Sequence, residues 1–249
     1  PYTTLFRSQF LGHTSALAGS LFLSANIVPP ASAANSNSML KRKIPATGET
    51  IPAIGMGTSG SFEVRAGSAD YNALKEVLKR FFEGGAILID TAPTYGNAED
   101  NLGPLLSEAG ARKRAFIATK LSGVTGRRAG LEQFGNTLER LQTDRVELLQ
   151  VHNLRDWKTQ IAVARELKAE GKVKYVGVTH YVESAQDELA EVVQATQPDF
   201  LQINYSVTQR SAEKRIFPMA RELGIAVLAN RNFEDGRLFN RVQGKSLPG

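Results

Sequence analysis

Seven short apolar runs punctuate the chain, at 54–58, 86–90, 115–120, 147–152, 174–180, 200–206 and 225–230. Each is followed by a polar stretch and then, between runs, by residues at helical spacing, an alternation that predicts strand, helix, strand and hence a parallel sheet. The runs start about 25 to 32 residues apart, the length of one strand with its return helix. Their centres, such as AILI, AFIA, YVGV and IAVLA, are apolar without alternation. Strands of that kind are covered on both faces.

Caps and stops outline the helices. Asp70 is expected to open a helix with Leu74, Val77, Leu78 and Phe81 on its inner side, ended by Gly84 and Gly85. Ser184 and Asp187 have capping-box spacing ahead of Leu189, Val192 and Val193. Gly171 and Gly224 stand where C-terminal glycines belong, and Pro218 predicts a helix restart with the proline in its first turn. Seven such units fit either a closed barrel or an open doubly wound sheet. The run Gly55-Met56-Gly57-Thr58-Ser59-Gly60 spells a dinucleotide fingerprint, but that motif needs a helix at its last glycine. Residues 61–68 show no helical period, so the glycines instead let a strand end and its loop pass close to a ligand. The expected fold is a (β/α)8 TIM barrel with seven of its eight units present.

In such a barrel the side chains at the C-terminal strand ends build the site. Asp90, Lys120 and His152 end three successive runs, and Tyr95 follows the first of them by five residues. Each has a bland reading: Asp90 as a turn cap, Tyr95 as a half-buried aromatic, His152 as a satisfied core histidine. Lys120 ends a buried run, where a cation needs a partner. Taken together, the four can polarise a carbonyl and protonate the alkoxide that forms. Tyr95 would be the proton donor, made more acidic by Lys120; Asp90 would hold the lysine; His152 would donate to the carbonyl oxygen. Hydride must then come from a cofactor.

The segment Asp90-Thr91-Ala92-Pro93-Thr94-Tyr95-Gly96, the lysine of Ile117-Ala118-Thr119-Lys120 and the histidine of Leu149-Gln150-Val151-His152 resemble the catalytic motifs of the aldo-keto reductases. Ile54-Gly55-Met56-Gly57-Thr58 and Val176-Gly177-Val178-Thr179-His180 are similar too, and the likeness runs in order from about Lys43 to Gly236. The resemblance implies a barrel that binds NADP(H) in extended form and reduces an aldehyde or ketone, with Tyr95 as general acid. It places Gly57 and Thr58 near the nucleotide and Gln202 on the nicotinamide carboxamide. Thr179 and His180 stand where the family has a Ser-Asn pair, and Asn230, followed by Arg231, where it often stacks an aromatic ring. A non-catalytic nucleotide-binding redox sensor on the same barrel is the alternative, and a metal or carboxylate hydrolase a third reading.

Residues 1–8 read as adapter-derived, and 9–38 as the remnant and spacer of an export signal with an A-x-A pattern at Ala31-Ser32-Ala33. Residues 39–249 form the expected barrel domain, shorter than the roughly 250 residues typical of the fold, so the C-terminal unit is expected to be missing. Export to a bacterial periplasm, through the twin-arginine route, is the expected localisation; a cytoplasmic protein is the alternative. The net charge of +5 is spread along the chain without the basic-aromatic array of a nucleic-acid binder. Cysteines number zero, which excludes disulfides and thiolate metal sites. No apolar run reaches the roughly 18 residues of a membrane helix. The expected partner is a small carbonyl compound, with no nucleic acid and no membrane insertion; the sequence leaves oligomeric state open.

Overall fold

The computed structural model describes residues 39–246. The expected leader at 1–38 lies outside them. Two strands, β1 (Lys41–Lys43) and β2 (Thr50–Pro52), form an antiparallel hairpin. After it come β3 (Gly55–Gly57), α1 (Ala69–Glu83), β4 (Leu88–Asp90), α2 (Ala98–Glu108), β5 (Phe116–Leu121), α3 (Arg127–Arg140) and β6 (Val146–His152). The chain continues with α4 (Trp157–Ala169), β7 (Val173–His180), α5 (Gln186–Thr196), β8 (Phe200–Asn204), α6 (Ile216–Glu222), β9 (Ala226–Asn230) and α7 (Arg237–Val242). The seven strands β3 to β9 pair in sequence order, every pair parallel. This is the seven-unit barrel sheet that the apolar rhythm predicts; among the described residues β3 and β9 remain its two edges.

Two separate apolar clusters explain why the strands do not alternate. Leu88, Phe116, Ala118, Leu148, Tyr175 and Phe200 fill the inside of the sheet. Ile89, Ile117, Leu149, Val151, Val178 and Leu201 face outward against Leu78, Leu102, Leu106, Phe134, Ile161 and Val193 of the helices. The hairpin, which the sequence pattern does not announce, adds Ile44 and Ile51 to the inner cluster. It is tied there by Tyr175, whose hydroxyl meets Thr47 Oγ1 at 2.7 Å and donates to Glu49 Oε2 at 2.5 Å.

Local details correct the cap assignments. Ser68, not Asp70, caps α1, its hydroxyl accepting from the Tyr71 N–H at 3.1 Å. The buried stripe is Tyr71, Leu74, Leu78 and Phe82, which leaves Val77 44% exposed and rotates the helix from the expected face. Ser184 lies within a 3-10 turn (Glu183–Ala185), and α5 starts after it with Ala185 as N-cap and no side-chain cap bond, so the expected capping box does not form. Gly84–Gly85, Gly171, Gly224 and the placement of Pro218 in the first turn of α6 agree with the expectation.

Helix α2 presses its Gly103 against the end of α3. A Cβ added there would sit 2.2 Å from the Arg140 carbonyl oxygen and 2.8 Å from the Leu141 carbonyl carbon, backbone atoms that cannot rotate aside. Gly103→Ala is therefore expected to lower stability by about 1–3 kcal/mol, the cost of an overpacked contact, despite the better helix propensity of alanine. A urea midpoint equal to that of the parent chain would show that the two helices can separate freely.

Candidate active site

The barrel places the site by alternation. Positions two residues beyond the inner-cluster residues of β4, β5 and β6 also face inward, so Asp90, Lys120, Gln150 and His152 point into the C-terminal mouth. In register, Lys120 lies opposite Gln150 and His152 opposite Thr179, which pairs in turn with Gln202; Asn204 pairs with Asn230. The polar end of the barrel is thus a ring of inward side chains above an apolar floor.

Lys120 is fully enclosed, its side chain 1% exposed. Its ammonium donates to Asp90 Oδ1 at 2.9 Å, Asp90 Oδ2 at 2.8 Å and the Thr91 carbonyl at 2.7 Å. Those contacts hold the buried cation and aim it: Nζ stands 4.8 Å from the centroid of the Tyr95 ring. The Tyr95 ring meets His152 edge to face at 6.0 Å and 86°. The four residues expected to be catalytic therefore form one contiguous cluster of contacts. Thr58 is buried and donates its hydroxyl to Thr91 Oγ1 at 2.9 Å, so it braces the loop that holds the lysine. Beside it, Gly57 leaves open space: an added Cβ would meet nothing within 4 Å among the described residues.

Electrostatics corrects one expectation. Burial raises the Tyr95 phenol above the usual value near 10, and although the Lys120 ammonium pulls it down, Asp90 and Glu63 push it up again. The net direction is upward, so Lys120 offsets desolvation and does not make the phenol acidic outright. Glu63 is a site residue the sequence did not reveal, because it lies in the aperiodic loop after β3. Its Oε1 accepts from the Gly60 N–H at 2.8 Å and its Oε2 would lie 3.0 Å from a Cβ on Gly96, the neighbour of Tyr95. Asn101, reaching from α2 to the Phe62 and Val64 carbonyls at 2.8 Å each, holds that loop against the turn carrying Tyr95.

His152 is pushed the other way. Burial, then the Lys120 charge, then His180, lower its pKa from 6.5 to about 4. The ring is neutral at pH 7, which lets it donate one hydrogen bond and accept another. An unfolded chain protonates this histidine near 6.5 and the native one near 4, so between those values the unfolded state binds more protons and stability drops as the pH is lowered. The loss amounts to roughly 3 kcal/mol below the lower value and is absent above the upper one. His152→Gln is expected to flatten the fall in urea midpoint between pH 6.5 and 4 relative to the parent chain; parallel curves for the two proteins would contradict it.

The residues expected at the cofactor fall into two groups. Inside the barrel, Gln202 Oε1 accepts from Gln150 Nε2 at 3.2 Å. Gln150 Oε1, Asn204 Oδ1 and Asn230 Oδ1 are buried acceptors with no partner among the described residues. Unpaired buried acceptors favour a donor-bearing ligand, and a carboxamide N–H2 such as that of nicotinamide fits them. Asn204, also missed from the sequence, belongs to this set, and it could have been found as the inward position two beyond Gln202. At the rim, His180 stacks on Tyr181 at 6.0 Å, and Arg231 lies 5.0 Å over Tyr181 on its way to an ion pair with Asp235. Thr179 is buried at the base of this stack, opposite His152. The loop after β9 carries left-handed backbone at Arg231, Glu234 and Asp235, with φ of 55°, 54° and 56°. Three strained non-glycine residues in one loop are held by their surroundings, here by buried Glu234, which accepts from Ser206 Oγ at 2.8 Å and from Thr208 Oγ1.

Fold and site together define a parallel (β/α) barrel with a Tyr–Lys–Asp–His cluster at the carboxyl ends of its strands. Residues 53–248 match the model of the Aldo/keto reductase family, and the chain belongs to that family. It is 30% identical over 200 residues to "Aldo-keto reductase YhdN" of Bacillus subtilis (strain 168), covering 73% of this chain and 58% of the relative. It is 27% identical over 243 residues to the "NADH-specific methylglyoxal reductase" of Escherichia coli (strain K12), covering 84% of this chain and 72% of that protein. Among solved structures, the Klebsiella pneumoniae aldo-keto reductase in complex with NADPH superposes with a TM-score of 0.71 at 25% identity, covering 84% of this chain and 74% of the other. The chain thus spans little more than half the length of the Bacillus relative.

Proposed function

We propose that the chain is a nicotinamide-dependent carbonyl oxidoreductase that reduces an aldehyde or ketone to an alcohol, with NADP(H) as its cofactor. The observation that carries the reading is Lys120, fixed by Asp90 and Thr91 beneath the Tyr95 ring while a neutral His152 meets the same ring edge-on. Reduced nicotinamide would supply a hydride when bound, and Asn204, Asn230, Gln150 and Gln202 are the residues that would hold its carboxamide. The chain's own residues do the rest. Tyr95 keeps its proton at neutral pH, because its pKa is raised, and gives it from Oη to the substrate oxygen as negative charge develops there. Lys120 stabilises the phenolate left behind, and Asp90 keeps the ammonium in place. His152 donates a hydrogen bond to the same oxygen, which polarises the carbonyl and sets its angle.

The NADPH-bound neighbour supports NADP(H), whereas the NADH-specific relative shows that the family holds both choices. Oxidation of NADPH and of NADH by the full chain, with a panel of aldehydes, ketones and 2-oxoaldehydes, tests the reading. Carbonyl-dependent oxidation that is faster with NADPH is expected. Oxidation with neither nucleotide would overturn the activity, and preference for NADH would overturn the cofactor assignment alone.

A further inference from the structure

We infer that Ser122 is a positioning residue that fixes the tautomer of His152, keeping the imidazole proton on Nε2 for the substrate oxygen. The inference rests on the carbonyl-orienting role of His152 proposed above. Ser122 lies two residues beyond Lys120 on the same face of β5 and its continuation, 4% exposed, with Oγ 2.7 Å from His152 Nδ1. Its backbone is clamped on both sides by one side chain of α3. The Ser122 N–H donates to Gln133 Oε1 at 2.7 Å, and Gln133 Nε2 donates to the Ser122 carbonyl at 2.9 Å.

A neutral imidazole carries its proton on one nitrogen only, and two arrangements fit a 2.7 Å contact. In the first, the serine hydroxyl donates to Nδ1 and the ring proton sits on Nε2. In the second, Nδ1–H donates to the serine oxygen, and the hydroxyl hydrogen is left to find another acceptor. Among the described residues Nδ1 is the hydroxyl's only hydrogen-bond partner, so the second arrangement strands a buried donor. It would also turn an Nε2 lone pair toward the carbonyl oxygen. The first arrangement satisfies every group and supplies the donor that reduction needs. Burial first, and then the nearby Lys120 and His180, lower the imidazole pKa and keep the ring in the neutral form for which the choice of nitrogen matters.

Nitrogen-15 NMR of the histidine-labelled chain at pH 7, with the His152 signals assigned by their loss in His152→Gln, reads the tautomer directly and needs no cofactor. The Nε2–H form is expected to dominate in the parent chain and in Ser122→Thr, and the Nδ1–H form to gain population in Ser122→Ala. Turnover in Ser122→Ala is expected to fall about tenfold, and the same substitution in the His152→Gln background to change nothing further. An Nδ1–H ring in the parent chain, or an unchanged tautomer ratio in Ser122→Ala, overturns the inference. If the tautomer shifts as expected while the parent chain reduces no carbonyl, the tautomer assignment stands and the functional reading fails.

Discussion

Tyr95→Phe is expected to lower the proposed carbonyl reduction by roughly 10²- to 10⁴-fold, the range that general-acid catalysis contributes, while nucleotide affinity is expected to stay within about a factor of two of the parent. The expectation follows from the lack of a substitute acid. Lys120 directs its ammonium at both Asp90 oxygens and at the Thr91 carbonyl, and a proton taken from it would leave Asp90 without its cation. His152 is neutral well below pH 7, with a pKa of about 4; its remaining N–H orients but is far too weak an acid to transfer. Phenylalanine retains the ring and its edge contact with His152, so the loss should fall on kcat and leave the melting temperature nearly unchanged. The raised phenol pKa adds a second expectation for the parent protein: no alkaline loss of rate from this group below about pH 10. A Tyr95→Phe protein with kcat within threefold of the parent would remove the tyrosine from the acid role and move the search to His152.

The difference between what the sequence announces and what it hides follows from range. Ala118, Leu148 and Leu149 are apolar because both faces of their strands are covered, so the runs advertise a parallel sheet, and each run's polar terminal residue marks the mouth. Asp90, Lys120 and His152 are legible for that reason. Tyr95 lies off a strand and is legible only through the surrounding motif. Hidden are contacts decided by a distant partner. Ser122 looks like an ordinary loop serine until α3 returns Gln133 to clamp it, and Glu63 reaches Gly96 only after Asn101 has fastened its loop. Strands β1 and β2, at three residues each, exist because Ile44 and Ile51 can cover the inner cluster, a reward not encoded within either segment. Ser68 and Asp70 are both good caps, and the helix start is settled by which oxygen reaches the Tyr71 N–H. The direction of the Tyr95 shift is hidden for a related reason: opposite charges can be counted along a chain, whereas the burial that outweighs them cannot.

Asp90→Ala should destabilise the fold by about 3–5 kcal/mol, since it leaves the Lys120 cation buried without its counterion. The asymmetry of the pair makes this prediction sharper than a simple loss of contact. The Lys120 side chain is 1% exposed and the Asp90 side chain 14%, so only the carboxylate has water within reach if its partner is removed. Lys120→Met should accordingly cost less than Asp90→Ala, because a methionine fills the lysine stem's space and the stranded carboxylate is partly solvated. The double variant Asp90→Asn, Lys120→Met removes both charges and keeps the volume; buried pairs replaced in this way are often neutral in stability. It should recover most of the loss yet remain catalytically inert, because no cation is left to stabilise a phenolate at Tyr95. Urea midpoints at pH 7 with unchanged m-values give the order: parent and double variant highest, Lys120→Met intermediate, Asp90→Ala lowest. If Asp90→Ala melts with the parent, water must already reach the ammonium. The mouth would then be too wet for a lysine charge to be strong at the Tyr95 hydroxyl, and the electrostatic basis for proton transfer would fail along with the stability argument.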